Sequence, residues 1–115
     1  MRTLNEYFLT ARIADISTAS EVYVVAPDAG EIVKIYSVIN NAITIADATL
    51  TAKIGGTAVT GGAITVGYSG SAAGDVDEAT PTAANSVTTG QAIEIETDGG
   101  SSTACEAWVT LVIRR

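Results

Sequence analysis

The chain has 115 residues with a formal net charge of -7, and 47% of them are hydrophobic although only 5% are aromatic. That length suits one domain, residues 1–115, whose single core must be built from Val, Ile, Leu and Ala. Six Lys and Arg, scattered from Arg2 to Arg115, exclude the clustered cations a nucleic-acid surface needs, and the acidic field would equally repel an anionic membrane.

Apolar and polar residues alternate with period two from end to end, the pattern of strands with one buried face. In "EYFLTARIADI" Tyr7, Leu9, Ala11 and Ile13 share one side, while Glu6, Thr10 and Arg12 share the other. Residues 1–12 read either as an arm or as the first strand. "EVYVVAP" is a short strand ended by Pro27, and "DAG" is a turn in which Gly30 can take positive φ. In "EIVKIYSVI" the alternation places Val33, Ile35 and Ile39 together; the opposite set is Ile32, Lys34, Tyr36 and Val38.

"ATLTAKI" turns Leu50, Ala52 and Ile54 inward. The glycine-crowded "IGGTAVTGGAI" that follows lacks both the Gly-Lys-Ser/Thr of a phosphate loop and a G-x-G-x-x-G fingerprint. Its pairs Gly55-Gly56 and Gly61-Gly62 therefore read as tight hairpin turns around a short strand-like "TAV". "AITV" and "QAIEIET" are further strands, and "ACEAWVTLVI" buries Cys105, Ala107, Val109, Leu111 and Ile113. Residues 67–89 break the rhythm and read as a surface loop or a helical turn. About eight short strands and no helical period predict an all-β antiparallel sandwich, jelly-roll-like in form.

The residues for most catalysis are missing. There is no histidine, so serine–histidine and cysteine–histidine mechanisms lack their base, and the lone Cys105 rules out an intramolecular disulfide. No S-x-x-K precedes Lys34 or Lys53. Glu94 and Glu96 sit roughly 7 Å apart on one strand face, a spacing that glycosidases use, but strict alternation makes them a solvated outer face. "DVDEATPTAANS" opens like a calcium loop yet carries Thr80 and Ser86 where an EF-hand needs Gly and Glu; an irregular cation site on Asp75, Asp77 and Glu78 stays open. No catalytic, cofactor or metal residue is assigned.

Aromatic residues suited to sugar stacking are Tyr23, Tyr36, Tyr68 and Trp108, so a phage fibre or carbohydrate-binding module is the alternative function. More telling is the side of the strands that should meet water: Ile32, Tyr36, Val38, Trp108 and Val112 fall there. A contiguous apolar patch of that kind calls for a covering partner, and a homo-oligomer, trimer before dimer, is the first expectation.

The run from "DISTASEVYVVAPDAGEIVKIYSVIN" to the C-terminus, above all "PDAGEIVKIYSVIN", "ATLTAKIGGTAVTGG" and "QAIEIETDGGSSTA", resembles small head decoration (cement) proteins of tailed bacteriophages. The resemblance implies a jelly-roll-like sandwich that is not an enzyme and is made in the bacterial host cytoplasm. It also implies that the protein oligomerises and binds the outer surface of the virion capsid, where it ties major capsid protein subunits together. Nucleic acid and membrane are not among the implied partners.

Overall fold

A computed structural model describes residues 5–115; residues 1–4, part of the segment read as an arm or first strand, lie outside the described residues. The strands are β1 (Glu6–Ile13), β2 (Ser20–Val25), β3 (Gly30–Ile39), β4 (Ala48–Ile54), β5 (Thr57–Val66), β6 (Val76–Ala79), β7 (Ser86–Val87), β8 (Ala92–Thr97) and β9 (Ala107–Arg114). All pairings are antiparallel. One sheet runs β1-β9-β3-β6, with β7 also pairing β3, and the other runs β2-β8-β4-β5. The pairs β1–β9, β2–β8, β3–β6 and β4–β5 are nested inside one another along the chain, which is the topology of a jelly roll.

The period-two pattern accounts for the core. Ile13, Ile32, Ile35, Ile39, Leu50, Ile64, Ile93, Ile95, Leu111 and Ile113 are fully buried between the sheets, and Cys105, in the loop before β9, is buried as well. Branched aliphatics dominate because each inward side chain must fill space on a pleated surface without a polar atom to satisfy.

Three features depart from the sequence expectation. Between Ile32 and Lys34 the register with β9 slips by one residue, so that Val33 and Lys34 together oppose Val112. This bulge turns Val33 and Lys34 outward and Ile32 inward, where it is 0% exposed. Asn85 seals the distortion: its backbone carbonyl accepts the Ile32 N–H at 2.9 Å and its side-chain amide donates to the Ile32 carbonyl at 2.7 Å. The assignment of Ile32 to the outer face and of Val33 to the core is therefore reversed.

Second, Gly55-Gly56 forms the β4–β5 hairpin turn, but Gly61-Gly62 lies inside β5. There, four residues of β5 oppose Ala52 alone, since Thr51 pairs with Ala63 and Lys53 with Ala58. The excess lets Thr60 bridge to Ala83 and close that side of the sandwich. Gly61 has φ +75°, and a Cβ there would stand 2.8 Å from the Thr80 carbonyl oxygen, so the excursion requires glycine. Third, residues 67–89 contain β6 and β7, two short strands that exist by pairing with β3, and no helix.

The loops 14–19, 40–47, 67–75 and 98–106 meet at one end of the sandwich, as the registers Ile13↔Ala107, Ile39↔Ala107 and Ala48↔Val66 require. Carboxylates hold them. Asp15 accepts the Ser17 N–H at 2.9 Å, the Ser17 hydroxyl at 2.6 Å and the Cys105 N–H at 3.2 Å. Asp98 accepts from Thr49 and Gly100 at 2.9 Å each, and Asp47 from Tyr68 at 3.0 Å.

Two outcomes follow. Leu111→Ala, at a fully buried position, should lower the unfolding free energy by about 2–5 kcal/mol in chemical denaturation. The Ser17 hydroxyl, then the Ser17 and Cys105 N–H groups, hold the Asp15 carboxyl below its usual range. Its contribution to stability is thus present above that range and lost as pH falls through the folded pKa. The acid limb of a stability–pH profile should be shallower for Asp15→Asn than for the parent chain.

Candidate functional site

The outer face of the five-stranded sheet brings most of the predicted interface together. Directly opposed residues share a face, so the registers define three rows across β1, β9, β3 and β6. The first is Phe8, Val112 and Lys34; the second is Thr10, Thr110, Tyr36 and Glu78; the third is Arg12, Trp108, Val38 and Val76. Phe8 is 66% exposed and Trp108 39%, Tyr36 and Val76 are also exposed, and Val38 and Val112 are half-buried. Tyr36, Val38, Trp108 and Val112 are thus contiguous, while Ile32 lies in the core on the opposite side of the same sheet.

Two members were not picked out from the sequence. Phe8 stood in plain alternation between Glu6 and Thr10, and its size against that polar set was the available signal. Val76 carried none, because β6 is a strand only through its pairing with β3.

Charges at the margin of this face are paired. Arg12 bonds Glu106, Lys34 bonds Glu78 at 3.0 Å and the Thr80 hydroxyl at 2.9 Å, and Arg114 bonds Glu6 at 2.7 Å. The Lys34 ammonium also stands 5.9 Å from the centre of the Tyr36 ring. An open depression of about 670 Å³ lies against Phe8, bounded by Lys34, Tyr36, Pro81 and Val112. An apolar centre within a neutralised polar rim has the anatomy of a protein–protein contact.

The outer face of the four-stranded sheet is of another kind. Tyr23 is opposite Glu94 and Glu21 opposite Glu96, while Glu94 is opposite Lys53 and Glu96 opposite Thr51. Glu94 and Glu96 do share this face, as their alternation predicts, and Lys53 holds Glu96 at 3.2 Å. The Glu94 charge, with Glu21 and Glu96 behind it and some burial, raises the Tyr23 hydroxyl above its ordinary pKa. Carboxylate oxygens of Glu21, Glu94 and Glu96 lie within 4.8 Å of one another.

The residues Asp75, Asp77 and Glu78 do not converge. Asp77 and Glu78 are consecutive on β6 and point to opposite faces; Glu78 is taken by Lys34, and Asp75 accepts the Ala72 N–H at 2.9 Å. Burial, and then the charge of Asp75, raise the Asp77 pKa. Of the four candidate sugar-stacking aromatics, Tyr36 and Trp108 are diagonal neighbours on the five-stranded sheet, Tyr23 is on the other sheet, and Tyr68 is in a loop.

No model of a known protein family matches the sequence, and no curated protein does. Solved structures of similar fold exist. One belongs to the acid-stable capsid of Helicobacter pylori bacteriophage KHP30, with TM-score 0.60, 12% identity, and 96% of this chain and 87% of that chain covered. Another belongs to the cyanophage Pam1 capsid asymmetric unit, with TM-score 0.54, 15% identity, and 95% and 82% covered. A third is CsCBM6-3 of Clostridium stercorarium, solved in complex with cellobiose, with TM-score 0.55, 15% identity, and 96% and 83% covered. At these identities the likeness is one of fold.

Proposed function

We propose that this chain is a non-enzymatic structural protein of a phage virion, of the decoration or cement type. In this reading it binds the outer surface of the capsid and ties neighbouring major capsid protein subunits together. The observation that carries the reading is the asymmetry of the two sheets. One outer face, with Phe8, Tyr36, Val38, Val76, Trp108 and Val112, is apolar with its marginal charges paired; the other carries Glu21, Glu94 and Glu96. A lone chain gains nothing from the first arrangement.

The apolar face is the chain–chain interface in this proposal, giving a closed trimer, or failing that a dimer, seated on a capsid symmetry axis. Several modest capsid contacts per oligomer then combine into durable attachment. The two similar folds found in phage capsid structures support the assignment. A carbohydrate-binding module is the second reading, favoured by the similar fold solved with cellobiose and by the adjacency of Tyr36 and Trp108.

Light scattering on the purified chain should give an oligomeric mass, and Trp108→Asp should reduce it to that of the monomer without unfolding the sandwich. Trp108 is the sole tryptophan, so in the parent chain its emission should shift to the red when dilution takes the oligomer to the monomer. Added to undecorated expanded capsids, the parent chain should bind to a fixed stoichiometry and raise the temperature of shell disruption. Absence of binding to any shell, together with glycan-array binding that Trp108→Ala removes, would transfer the assignment to the carbohydrate-binding reading.

A further inference from the structure

The loop-bearing end of the sandwich carries a second exposed apolar group that the sheet-face interface does not use. Ile45, in the β3–β4 loop, is 75% exposed. Its φ is 76°, and the Ala46 N–H donates to the Thr44 carbonyl at 2.9 Å across it. That hydrogen bond closes a γ-turn with positive φ at its centre, the rarer and strained form. A β-branched residue is among the least suited to that conformation. Glycine would relieve it at no steric cost, so a bulky apolar side chain here is unexplained by folding.

The turn is held on both flanks. The Ile43 N–H donates to the Ser71 hydroxyl oxygen and the Ser71 hydroxyl donates to the Ile43 carbonyl, each at 2.9 Å. Asp47 accepts the Tyr68 N–H at 3.0 Å, and the Ser102 N–H donates to the Thr44 carbonyl at 3.2 Å. Gly100 packs so closely that a Cβ there would be 2.2 Å from the Asp47 carbonyl oxygen. Ile45 is therefore presented on a braced support, with the exposed Tyr68 on the adjoining loop.

Charge selects the partner. Asp15, Asp47, Asp75, Asp98 and Glu106 lie at this end, and among the described residues the Lys or Arg nearest to it along the strands is Arg12, already bonded to Glu106. Lys34, Lys53, Arg114 and Arg115 lie toward the opposite end, and each is paired, with Glu78, Glu96, Glu6 and Asp28 respectively. The described residues of a second copy therefore offer no unengaged basic surface to the acidic end, and its own acidic end is repelled. A different protein with Lys or Arg around an apolar socket meets both requirements.

We propose that Ile45 is the insertion knob by which the loop end of this protein engages a basic-rimmed apolar socket on the capsid subunit; the inference rests on the decoration reading above. Undecorated expanded capsids are the probe, titrated with the parent chain, Ile45→Gly and, as a control for exposed apolar residues elsewhere, Val25→Ala. Ile45→Gly should keep the oligomeric mass and a thermal midpoint no lower than the parent's, yet bind the shell about tenfold or more weakly, the loss expected for one buried aliphatic anchor. Val25→Ala should bind as the parent does, and binding of the parent should weaken with added salt. Equal binding by Ile45→Gly, or salt-insensitive binding, overturns the inference and leaves the decoration reading standing; a parent chain that binds no shell removes both.

Discussion

β9 is paired along its whole length on both sides, by β1 and by β3, and the rest of the molecule is arranged around that double pairing. Its inward residues Ala107, Val109, Leu111 and Ile113 are buried completely. Because side chains alternate strictly, fixing those four inward also fixes Trp108, Thr110 and Val112 outward, in the middle of the sheet instead of at its edge. The core and the candidate interface are thus two sides of one constraint. A register slip of a single residue in β9 would bury Trp108 and expose Leu111 together.

The alternating strands were legible in the sequence for this reason. β1, β4, β8 and β9 each have one aliphatic face and one polar or mixed face, and the structure places them accordingly. What the sequence concealed lies where the period breaks. "EIVKIYSVI" contains apolar residues in both phases, so either phase could be drawn inward, and the bulge at Val33 uses both: Ile32 before it and Ile35 after it are buried. β6 and β7 have little apolar pattern of their own and are specified by β3's unpaired edge, a long-range term that local composition does not carry. Gly61-Gly62 looked like a second turn because a bulge and a turn demand the same positive φ.

The candidate site was legible to the same extent. Tyr36, Val38, Trp108 and Val112 lie on the outer face as their alternation predicts, because their strands have simple phases near them; Ile32 was misplaced by the bulge, and Val76 was hidden in a segment read as a surface loop or a helical turn. The carboxylates show a related ambiguity. Asp15, Asp47, Asp75 and Asp98 look from sequence like scattered surface charge, yet each accepts backbone N–H groups in the loops. Such groups serve twice: their hydrogen bonds brace the loop end, and their charges give that end its field. Substituting them would alter rigidity and electrostatics together, which is why the unpaired apolar side chain of Ile45 is the cleaner handle on that surface.

The distribution of aromatics bears on the choice between a protein partner and a sugar. A sugar platform needs stacking rings together with side chains free to bond hydroxyls, since every buried hydroxyl of the ligand must find a partner. On the five-stranded sheet Tyr36 and Trp108 are diagonal neighbours flanked by Val38 and Thr110, and the polar groups at the rim, Arg12, Lys34, Glu78 and Glu106, are engaged in ion pairs, Arg12 with Glu106 and Lys34 with Glu78. Tyr23 does have acidic neighbours, with Glu96 engaged by Lys53, but they lie on the opposite face, too far from Trp108 to share a ligand. A surface that satisfies its own charges and leaves valine, phenylalanine and tryptophan uncovered loses little by meeting another apolar surface, and would lose more by meeting a hydroxylated one. The geometry of the face therefore favours burial against protein over recognition of carbohydrate.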